Sequence, residues 1–518
     1  MTFPKQDLSL DALRRSAKLL RRGYEGRSPA AVERLRVHPP RSDGAALRHA
    51  DFLHVVAQEQ NFASWPALKL AAETMGLDRA ALVQRLKLAV AHGQLYVIEQ
   101  LLARVPDLAD GVLGLQIALL DRTAVEAAIA ADPRAAVRAL GPKTPILHLC
   151  FSRWIHARPD LAEDMLAIAA LLVKHGADVN DGMPVAPGSD HKLSALYGAI
   201  GHADNMVLAE WLLEHGADPN DGESLYHATE LGHHRGLELL LSHGADPKRT
   251  NALLRAMDFH DHRAVEMLMA ASDEAHRFEG AEVGGELPYV IPALHQAARR
   301  MSDRRMIEML LDAGADPNES YEGVQAYGYA RVFGNRDLVD ALEARGVSTV
   351  LSADELILVK AAEGCDQLER VLDTGELPNA YRDLVRVILH LPGKLPHVRR
   401  LVELGVEYDR PDSEGLTPVQ VAGWEGLPEV LAYFLSLKPD LSHVNGYGGT
   451  LLSTIIHGSE NCPQRAERDY ISCLEMVLRE GVALPHRAID LAGDEDVAAF
   501  LGEWAERYPG QVAEGGLG

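Results

Sequence analysis

The sequence predicts an all-α solenoid of about twelve stacked helix–turn–helix units, joined by short β-hairpin-like loops and preceded by a helical N-terminal cap. The main observation is a phrase, His-Gly-Ala-Asp or Ala-Gly-Ala-Asp, that begins at residues 175, 215, 243 and 313. A leucine-rich stretch precedes each copy. The glycine suits the left-handed position that ends a helix, and Asp followed closely by Pro or Asn turns the chain. A repeated stop signal indicates one small unit stacked many times.

The spacing of the phrase and a second motif identify the unit. The last interval, between Gly244 and Gly314, is 70 residues and corresponds to two units of about 35. At 415–426 the chain reads Gly-Leu-Thr-Pro-Val-Gln-Val-Ala-Gly-Trp-Glu-Gly, and weaker versions lie at 144–148 and 292–297. Thr-Pro suits a helix start, because proline costs no hydrogen bond at the first helical position. Together the motifs resemble ankyrin repeats, and that resemblance implies a helix-pair solenoid that binds partners.

Extending this frame divides the chain into a leader at 1–80, a solenoid at 81–508 and a flexible tail at 509–518. The predicted units are 84–110, 113–138, 143–180, 190–220, 221–249, 250–272, 288–318, 322–348, 353–379, 381–410, 413–444 and 446–484, with a closing half-repeat at 486–508.

The leader does not fit the repeat frame. Leu13 and Leu20 lie on one face of a predicted helix that ends near Gly23, and Phe62, Trp65 and Leu68 follow in a second apolar stretch. That second stretch resembles a leader found ahead of repeats in bacterial ankyrin proteins. Because a terminal repeat has an apolar face without a neighbour, we expect the leader to cap the first repeat.

The charge of the chain indicates which kinds of partner it can bind. The chain carries 51 basic and 75 acidic residues, a net charge of −24. Residues 1–50 hold eleven Lys/Arg and five Asp/Glu, so that segment is +6 and the remainder −30. An acidic repeat body repels phosphate backbones, so we expect no nucleic acid there and favour a protein partner with a basic face.

Other sequence features predict a cytoplasmic chain without a cofactor. No apolar run is long enough to span a membrane, and no signal peptide is evident. The four cysteines lack metal-site spacing and are expected to be reduced thiols. The chain has no P-loop, zinc-protease or hydrolase motif. A monomer is favoured over a homo-oligomer.

Two places could carry chemistry. The 445–470 loop holds residue types seen in nucleophile–base pairs and their partners: His457, Cys462, Asp469 and Tyr470. An insertion loop without chemistry is the alternative there. Histidines in the turns of neighbouring units could meet at a metal, namely His233, His260 and His262. Local hydrogen bonding in the turn is the alternative for them.

The frame also predicts a binding surface. In an ankyrin stack the residues before the turn glycine point away from the core, along one concave face. Those positions are His202, Glu230, Arg299, Arg300, Phe333, Glu363, Trp424 and Glu425, and Trp154 lies nearby. Aromatic and arginine side chains favour interface hot spots, whereas burial under a neighbouring loop is the alternative.

The sequence therefore favours a non-catalytic protein-interaction module. An enzyme or small-molecule-binding protein that uses the concave face or the 445–470 loop is the alternative function.

Overall fold

The computed structural model describes residues 9–40, 47, 49–185, 188–272, 275–276, 291–365, 371–373 and 375–513. It forms two compact units: Leu77–Leu351 is one, and Met1–Gly76 together with Ser352–Gly518 is the other. Parts of the predicted leader and tail, at 1–8, 41–46, 48 and 514–518, lie outside the described residues.

The leader is helical, as predicted. Its helices are α1 (Leu10–Glu25), α2 (Pro29–Val37), α3 (His49–Glu59) and α4 (Trp65–Thr74). Leu13, Leu20, Trp65 and Leu68 are buried in one apolar cluster, and Phe62 packs against it. The leader therefore has a core of its own.

The described part of the 77–351 unit contains eight successive helix pairs. Seven of these pairs lie within one predicted repeat each, whereas the first begins at Arg79, before the predicted start of its repeat at residue 84. The pairs are α5 (Arg79–Ala91) with α6 (Leu95–Arg104), α7 (Leu113–Ala118) with α8 (Arg122–Ala131), α9 (Pro145–Cys150) with α10 (Ala162–Lys174), α11 (Ala195–Tyr197, continued by a π-turn at Gly198–His202) with α12 (Met206–Glu214), α13 (Ser224–Ala228) with α14 (Arg235–Ser242), α15 (Ala252–Asp258) with α16 (His262–Ala271), α17 (Ala293–Arg299) with α18 (Arg304–Asp312), and α19 (Ala326–Phe333) with α20 (Arg336–Ala344).

The repeated phrase ends the second helix of a pair, as predicted. Gly216 has a φ of 93°, a left-handed conformation that glycine adopts without steric cost. Its N–H donates to the carbonyl of Leu213, and the N–H of Ala217 donates to that of Leu212. These two bonds satisfy carbonyls that the helix end leaves without partners.

The residues after the glycine join neighbouring repeats. Asn180 accepts a hydrogen bond from the N–H of Asp218 at 2.7 Å, and its amide donates to the carbonyl of Gly216 at 3.0 Å. Asn220 repeats the first of these contacts with Asp246 at 2.7 Å. Two antiparallel hairpins lie in the same connections, formed by β1 (Gly182–Pro184) with β2 (Lys192–Ser194) and by β3 (Ser320–Tyr321) with β4 (Val324–Gln325).

The other unit continues the helix-pair pattern from residue 353. Its elements are α21 (Ala353–Ala362), α22 (Asn379–Arg382), α23 (Leu384–Ile388), α24 (Leu395–Glu403), α25 (Pro418–Trp424), α26 (Pro428–Ser436), α27 (Leu451–Asn461), α28 (Tyr470–Arg479), β5 (Leu484–Pro485), α29 (His486–Leu491), α30 (Glu495–Arg507) and β6 (Val512–Ala513).

The C-terminal end differs from prediction. The expected half-repeat is a full helix pair, α29 with α30. Residues 509–513 of the tail, expected to be flexible, form a 3₁₀ turn and then β6, which pairs in parallel with β5. Gln511 holds this segment in place, because its amide donates to the carbonyls of Leu478 and Val482 at 2.7 and 2.6 Å.

The leader packs against this C-terminal end. Helix α3 contacts α30, and Lys18 on α1 forms an ion pair with Glu506 on α30 at 3.4 Å. The sequence did not predict this contact. Among the described helices, none has the length and apolar character needed to cross a membrane.

Candidate functional site

A cleft between α25 and α27 brings together two of the predicted site residues, Trp424 and His457. The sequence starts α25 at Thr417-Pro418, where Gln420 accepts a hydrogen bond from the N–H of Thr417 at 3.2 Å. The amide of Gln420 also donates to the carbonyl of Gly449, which ties α25 to the loop before α27. The two helices therefore stand in a fixed register, with Trp424 at the end of α25 and His457 on α27.

Two glycines permit the close approach of these helices. A Cβ atom at Gly458 would lie 2.3 Å from the carbonyl oxygen of Trp424, and one at Gly423 would lie 2.7 Å from a side-chain carbon of Ile455. Real Cβ atoms are not found at such distances, so larger residues would force α25 and α27 apart.

The loop 445–449 forms the mouth of the cleft. The side-chain oxygen of Asn445 accepts hydrogen bonds from the N–H groups of Tyr447 and Gly449, at 3.1 and 2.8 Å. The N–H of Gly446 donates to the carbonyl of Glu414 in the preceding repeat at 2.7 Å. With the backbone held in this way, the Tyr447 side chain is 73% exposed.

The cleft has a volume of about 650 Å³ and a neutral, largely apolar lining. Its lining residues are Leu416, Val421, Trp424, Asn445, Tyr447, Gly448, Gly449, Ser453, Thr454 and His457. The rings of Trp424 and His457 lie 5.2 Å apart at 50°. The wall is therefore aromatic, with amide and hydroxyl groups close by.

His457 presents a donor at this site. Its Nδ1 lies 2.9 Å from the amide nitrogen of Asn461, which also donates to the His457 carbonyl at 3.0 Å. An amide nitrogen can only donate, so Nδ1 is the acceptor and the proton of the neutral ring is on Nε2. An exposed His457 can thus donate from Nε2 to a carbonyl oxygen.

The hypothesised nucleophile–base pair is not brought together. Cys462 is 1% exposed, and its thiol faces the carboxylate of Glu425 at 3.8 Å, whereas His457 is engaged by Asn461. The reason is that α27 continues to Asn461, so residues expected to form an insertion loop lie on the helix. Cys462 begins the shorter connection that follows.

Tyr470 and Asp469 support the cleft from behind. The Tyr470 hydroxyl donates to the carbonyl of Trp424 at 2.9 Å. Burial, together with the neighbouring Cys462 and Glu425, raises the pKa of this phenol well above its usual range. Asp469 begins α28 by accepting from the N–H of Ser472 at 3.0 Å. Glu425 lies 3.6 Å from the guanidinium of Arg468.

Three residues expected to point into solvent are buried. Phe333 is 1% exposed and stacks on Tyr329, with ring centroids 4.1 Å apart. Trp154 is 6% exposed within a 3₁₀ turn. Arg299 is 8% exposed and donates to Gln296 at 2.6 Å; burial, with nearby Arg300, lowers its pKa to about 10. The expectation fails because neighbouring helices and turns cover these positions.

Glu230 and Arg300 belong to an alternating series of charges at the ends of the first helices of neighbouring pairs. Arg255 lies 2.6 Å from Glu230 and 3.3 Å from Asp258. Arg300 in turn lies 2.7 Å from Asp258. Of the other predicted contacts, Glu363 is exposed at the end of α21, and His202 is half-buried at the end of its π-turn.

The histidines of the turns do not come together at a common point in the structure. His233 pairs with Asp204 at 2.9 Å, and His262 pairs with Asp303 at 2.9 Å. His260 has a left-handed backbone, with φ of 53°, in the turn before α16. Within the described ranges, no three His, Cys, Asp or Glu side chains could hold one ion.

The sequence did not single out Tyr447 as a binding residue, although it marked the loop that carries it. The cationic residues Lys143 and Arg153 were also not predicted to act at a site. For these two basic residues the sequence offers no signal beyond their position between helices.

A comparison with protein families agrees with the repeat pattern in one part of the chain. A family model described as "Ankyrin repeat" matches residues 292–320, which include α17 and α18. The chain is similar to a solved ankyrin repeat domain from Acinetobacter baumannii AYE, at 23% identity and a TM-score of 0.28. That match covers 38% of this chain and 99% of the other. No curated protein matches the chain.

Proposed function

We propose that this ankyrin-repeat protein acts by non-catalytic recognition of another protein, and that the cleft containing Trp424 and His457 seats an apolar side chain of that partner. Ankyrin repeats are generally protein-interaction modules. Fold alone does not choose a partner, so the proposal rests on the cleft.

The single observation that carries the proposal is the exposed aromatic mouth of the cleft. Tyr447 is 73% exposed on a loop whose backbone is fixed by Asn445, and Trp424 lines the wall beside it. A large exposed aromatic on a rigid loop costs solubility without adding to the core. Aromatic side chains in pockets are the usual anchors of protein interfaces, because they bury much area and lose little conformational freedom.

Charge favours a partner with basic residues around an apolar anchor. Apart from His457, the cleft lining contains neither acidic nor basic side chains, so it suits an uncharged group. Glu414, in the turn that contacts Gly446, is exposed. With a net charge of −24, the chain attracts a basic segment and speeds its encounter at low salt.

A small molecule in the same cleft is the second candidate. The volume of about 650 Å³ falls in the range of small-molecule sites, and the few polar groups, such as Ser453 and Asn445, could orient a ligand. Native mass spectrometry of protein purified from its host separates the two. A retained small ligand would favour this candidate over a protein anchor.

The proposed setting is the cytoplasm, as a monomer. All four cysteines are free thiols, with three of them buried, which supports a reducing compartment. Analytical ultracentrifugation tests the monomer, and a sedimenting dimer would contradict it.

The test is affinity capture from the native host followed by titration of the captured partner. Trp424→Ala should weaken binding by about 2 kcal/mol, roughly thirtyfold, if Trp424 is a hot spot. Tyr447→Ala should also weaken binding, with unchanged melting because the side chain is exposed.

Two matched variants control for the loss of any aromatic side chain. Trp211→Ala removes a tryptophan that stacks on His215, and Tyr96→Ala removes a tyrosine that is 40% exposed. Both should bind like the wild type. Equal affinity in all four variants would reject the cleft as the binding site.

A further inference from the structure

Basic side chains gather near Phe151 and the His202–Ala203 turn, in the third and fourth helix pairs. The Lys143 ammonium lies 4.4 Å from the centre of the Phe151 ring, and the His202 ring lies 5.2 Å from it. Arg153 donates from Nε to the carbonyl of His202 at 2.7 Å. His156 contacts the next carbonyl, that of Ala203, at 2.6 Å. Four basic residues thus meet at one turn of an acidic chain.

The two permanent charges of this cluster are not neutralised. Within the described ranges, neither Lys143 nor Arg153 forms a salt bridge; the contacts they make are with the Phe151 ring and the His202 carbonyl. Nearby arginines behave differently. Arg122, Arg138 and Arg158 each lie within 2.8 Å of a carboxylate oxygen, on Glu126, Asp132 and Asp160 respectively.

The uncompensated charge acts on the histidine between the two cations. Burial, followed by Arg153 and Lys143, lowers the pKa of His202 to about 4. Burial also lowers the pKa of Lys143. Positive charge is therefore disfavoured here as the cluster stands, and an added negative charge would relieve that cost.

The geometry leaves room for an incoming group. Arg153 is exposed, and Lys143 and His202 are half-buried. A Cβ atom at Gly93, where φ is 62°, would lie 2.6 Å from the Arg153 side chain, so glycine at that turn is what allows Arg153 to lie there. One hydrogen bond from Nε fixes the guanidinium plane, and its two terminal nitrogens make no hydrogen bond to the residues that the structure describes. A planar fork of this kind matches carboxylate and phosphate oxygens.

We propose that Lys143, Arg153 and His202 form an anion-binding site that takes a carboxylate or phosphate group from a partner protein. The site lies in the 77–351 unit and does not depend on the Trp424 cleft. His202 contributes by donating to the anion once protonated, and Phe151 holds Lys143 in place.

The test uses the full chain with ¹³C-labelled histidine, and His202→Gln to assign the His202 ring signal. Inorganic phosphate and acetate are titrated separately, at constant ionic strength maintained with chloride. We expect a saturable shift of the His202 signal with at least one of the two anions. Saturation by phosphate alone identifies a phosphate group as the ligand, and saturation by acetate identifies a carboxylate.

Charge-removing variants locate the site. Arg153→Gln and Lys143→Gln should each weaken the saturable response at least about tenfold, because each removes a charge-assisted contact. Arg158→Gln is the matched control. Arg158 lies five residues after Arg153 and carries the same charge, but it is already paired with Asp160. It should leave the response unchanged.

Two outcomes would overturn the proposal. One is a His202 signal that shifts with neither anion beyond the effect of chloride. The other is a response that Arg153→Gln, Lys143→Gln and Arg158→Gln all alter equally. Because Arg153 is exposed, Arg153→Gln should melt like the wild type, so a loss of response in that variant cannot be assigned to unfolding.

Discussion

His227 is held by both ring nitrogens between two carboxylates. Its Nδ1 lies 2.7 Å from Glu230, and its Nε2 lies 3.0 Å from Glu223, which is itself 7% exposed. Burial would lower the pKa of His227, but the two carboxylates outweigh it and raise the pKa to about 9. The folded state thus binds a proton that the unfolded chain releases near pH 6.5.

The sign of the pH dependence follows. A raised histidine pKa stabilises the fold fully below about pH 6.5, and this contribution is lost as the pH rises through about 9. We expect the free energy of unfolding of the wild type to fall over this window, by roughly 3 kcal/mol at most, and its melting temperature to fall with it. The His227→Gln variant should be less stable than the wild type at pH 6, and its melting temperature should change less between pH 6.5 and 9. Identical pH profiles for the two proteins would contradict the expectation.

At the residue scale, the sequence located helix ends better than it located exposure. Trp424 lies at the end of α25, where the frame puts it, and it lines a cleft. Phe333 occupies the matching place on α19 and is 1% exposed. The two residues differ in exposure because their neighbours differ. Tyr329 covers Phe333, whereas the glycine-rich loop beside Trp424 leaves a cleft open. Repeat periodicity carries no information about such neighbours.

Helices α25 and α27 depend on Gly458 for their spacing. Gly458→Ala would place a methyl group against the carbonyl of Trp424, and we expect a loss of about 1 to 3 kcal/mol from overpacking. Gly502→Ala, on α30, is the control. The nearest atom to its added Cβ would be the flexible Lys18 ammonium at 3.3 Å, so alanine there should be neutral or slightly stabilising. Urea unfolding of both variants measures the difference, and equal midpoints would contradict it.

The turns between helices carry a second pH-dependent element. Asp261 accepts from the N–H of Ala264 and from His234 at 2.8 Å, and Asp303 similarly caps α18 and pairs with His262. Burial alone would raise the pKa of both carboxyls, yet the backbone N–H groups and histidines lower it. The stabilisation is therefore present above the ordinary pKa of Asp and is lost as the pH falls through the lowered value.

We expect Asp261→Asn with Asp303→Asn to lower the melting temperature at neutral pH and to reduce its decline on acidification. Asparagine still caps a helix, so the change isolates the interaction with histidine. Asp78→Asn is the control, because Asp78 caps α5 through Ala81 and makes no hydrogen bond to histidine in the described chain. An acid profile unchanged from the wild type in the double variant would contradict the assignment.

At the element scale, the helix pairs could be predicted because their stop signals are local. Gly176 and Gly216 end helices with φ of 97° and 93°, as the repeated phrase predicts. The order of the 509–513 segment could not be predicted, since it depends on hydrogen bonds from Gln511 to residues about 30 positions earlier. The length of α27 was also missed, because no proline or left-handed glycine stops it before Asn461.

At the scale of the whole molecule, residues 1–76 and 352–518 form one unit, in which the leader supports the C-terminal helix pair. Deleting 1–76 removes α3 from α30 and the Lys18 partner of Glu506. We expect faster hydrogen exchange in Glu495–Arg507 and a greater tendency to aggregate. Lys18→Gln is the mild control, because one partly exposed ion pair contributes little. Unchanged protection of α30 in the truncated protein would show that the leader does not support it.

The pairing of the leader with α30 has a consequence for biosynthesis. Helix α4 ends at Thr74 and α30 begins at Glu495, so about 420 residues must be translated between them. At about 5–20 residues per second, the leader waits roughly 20 to 80 s on the ribosome before its helical partner exists. During that interval the leader surface meant for α30 is open to solvent and to chaperones. The docking of the leader on α30 is therefore a very long-range step, because its two surfaces are made far apart in time.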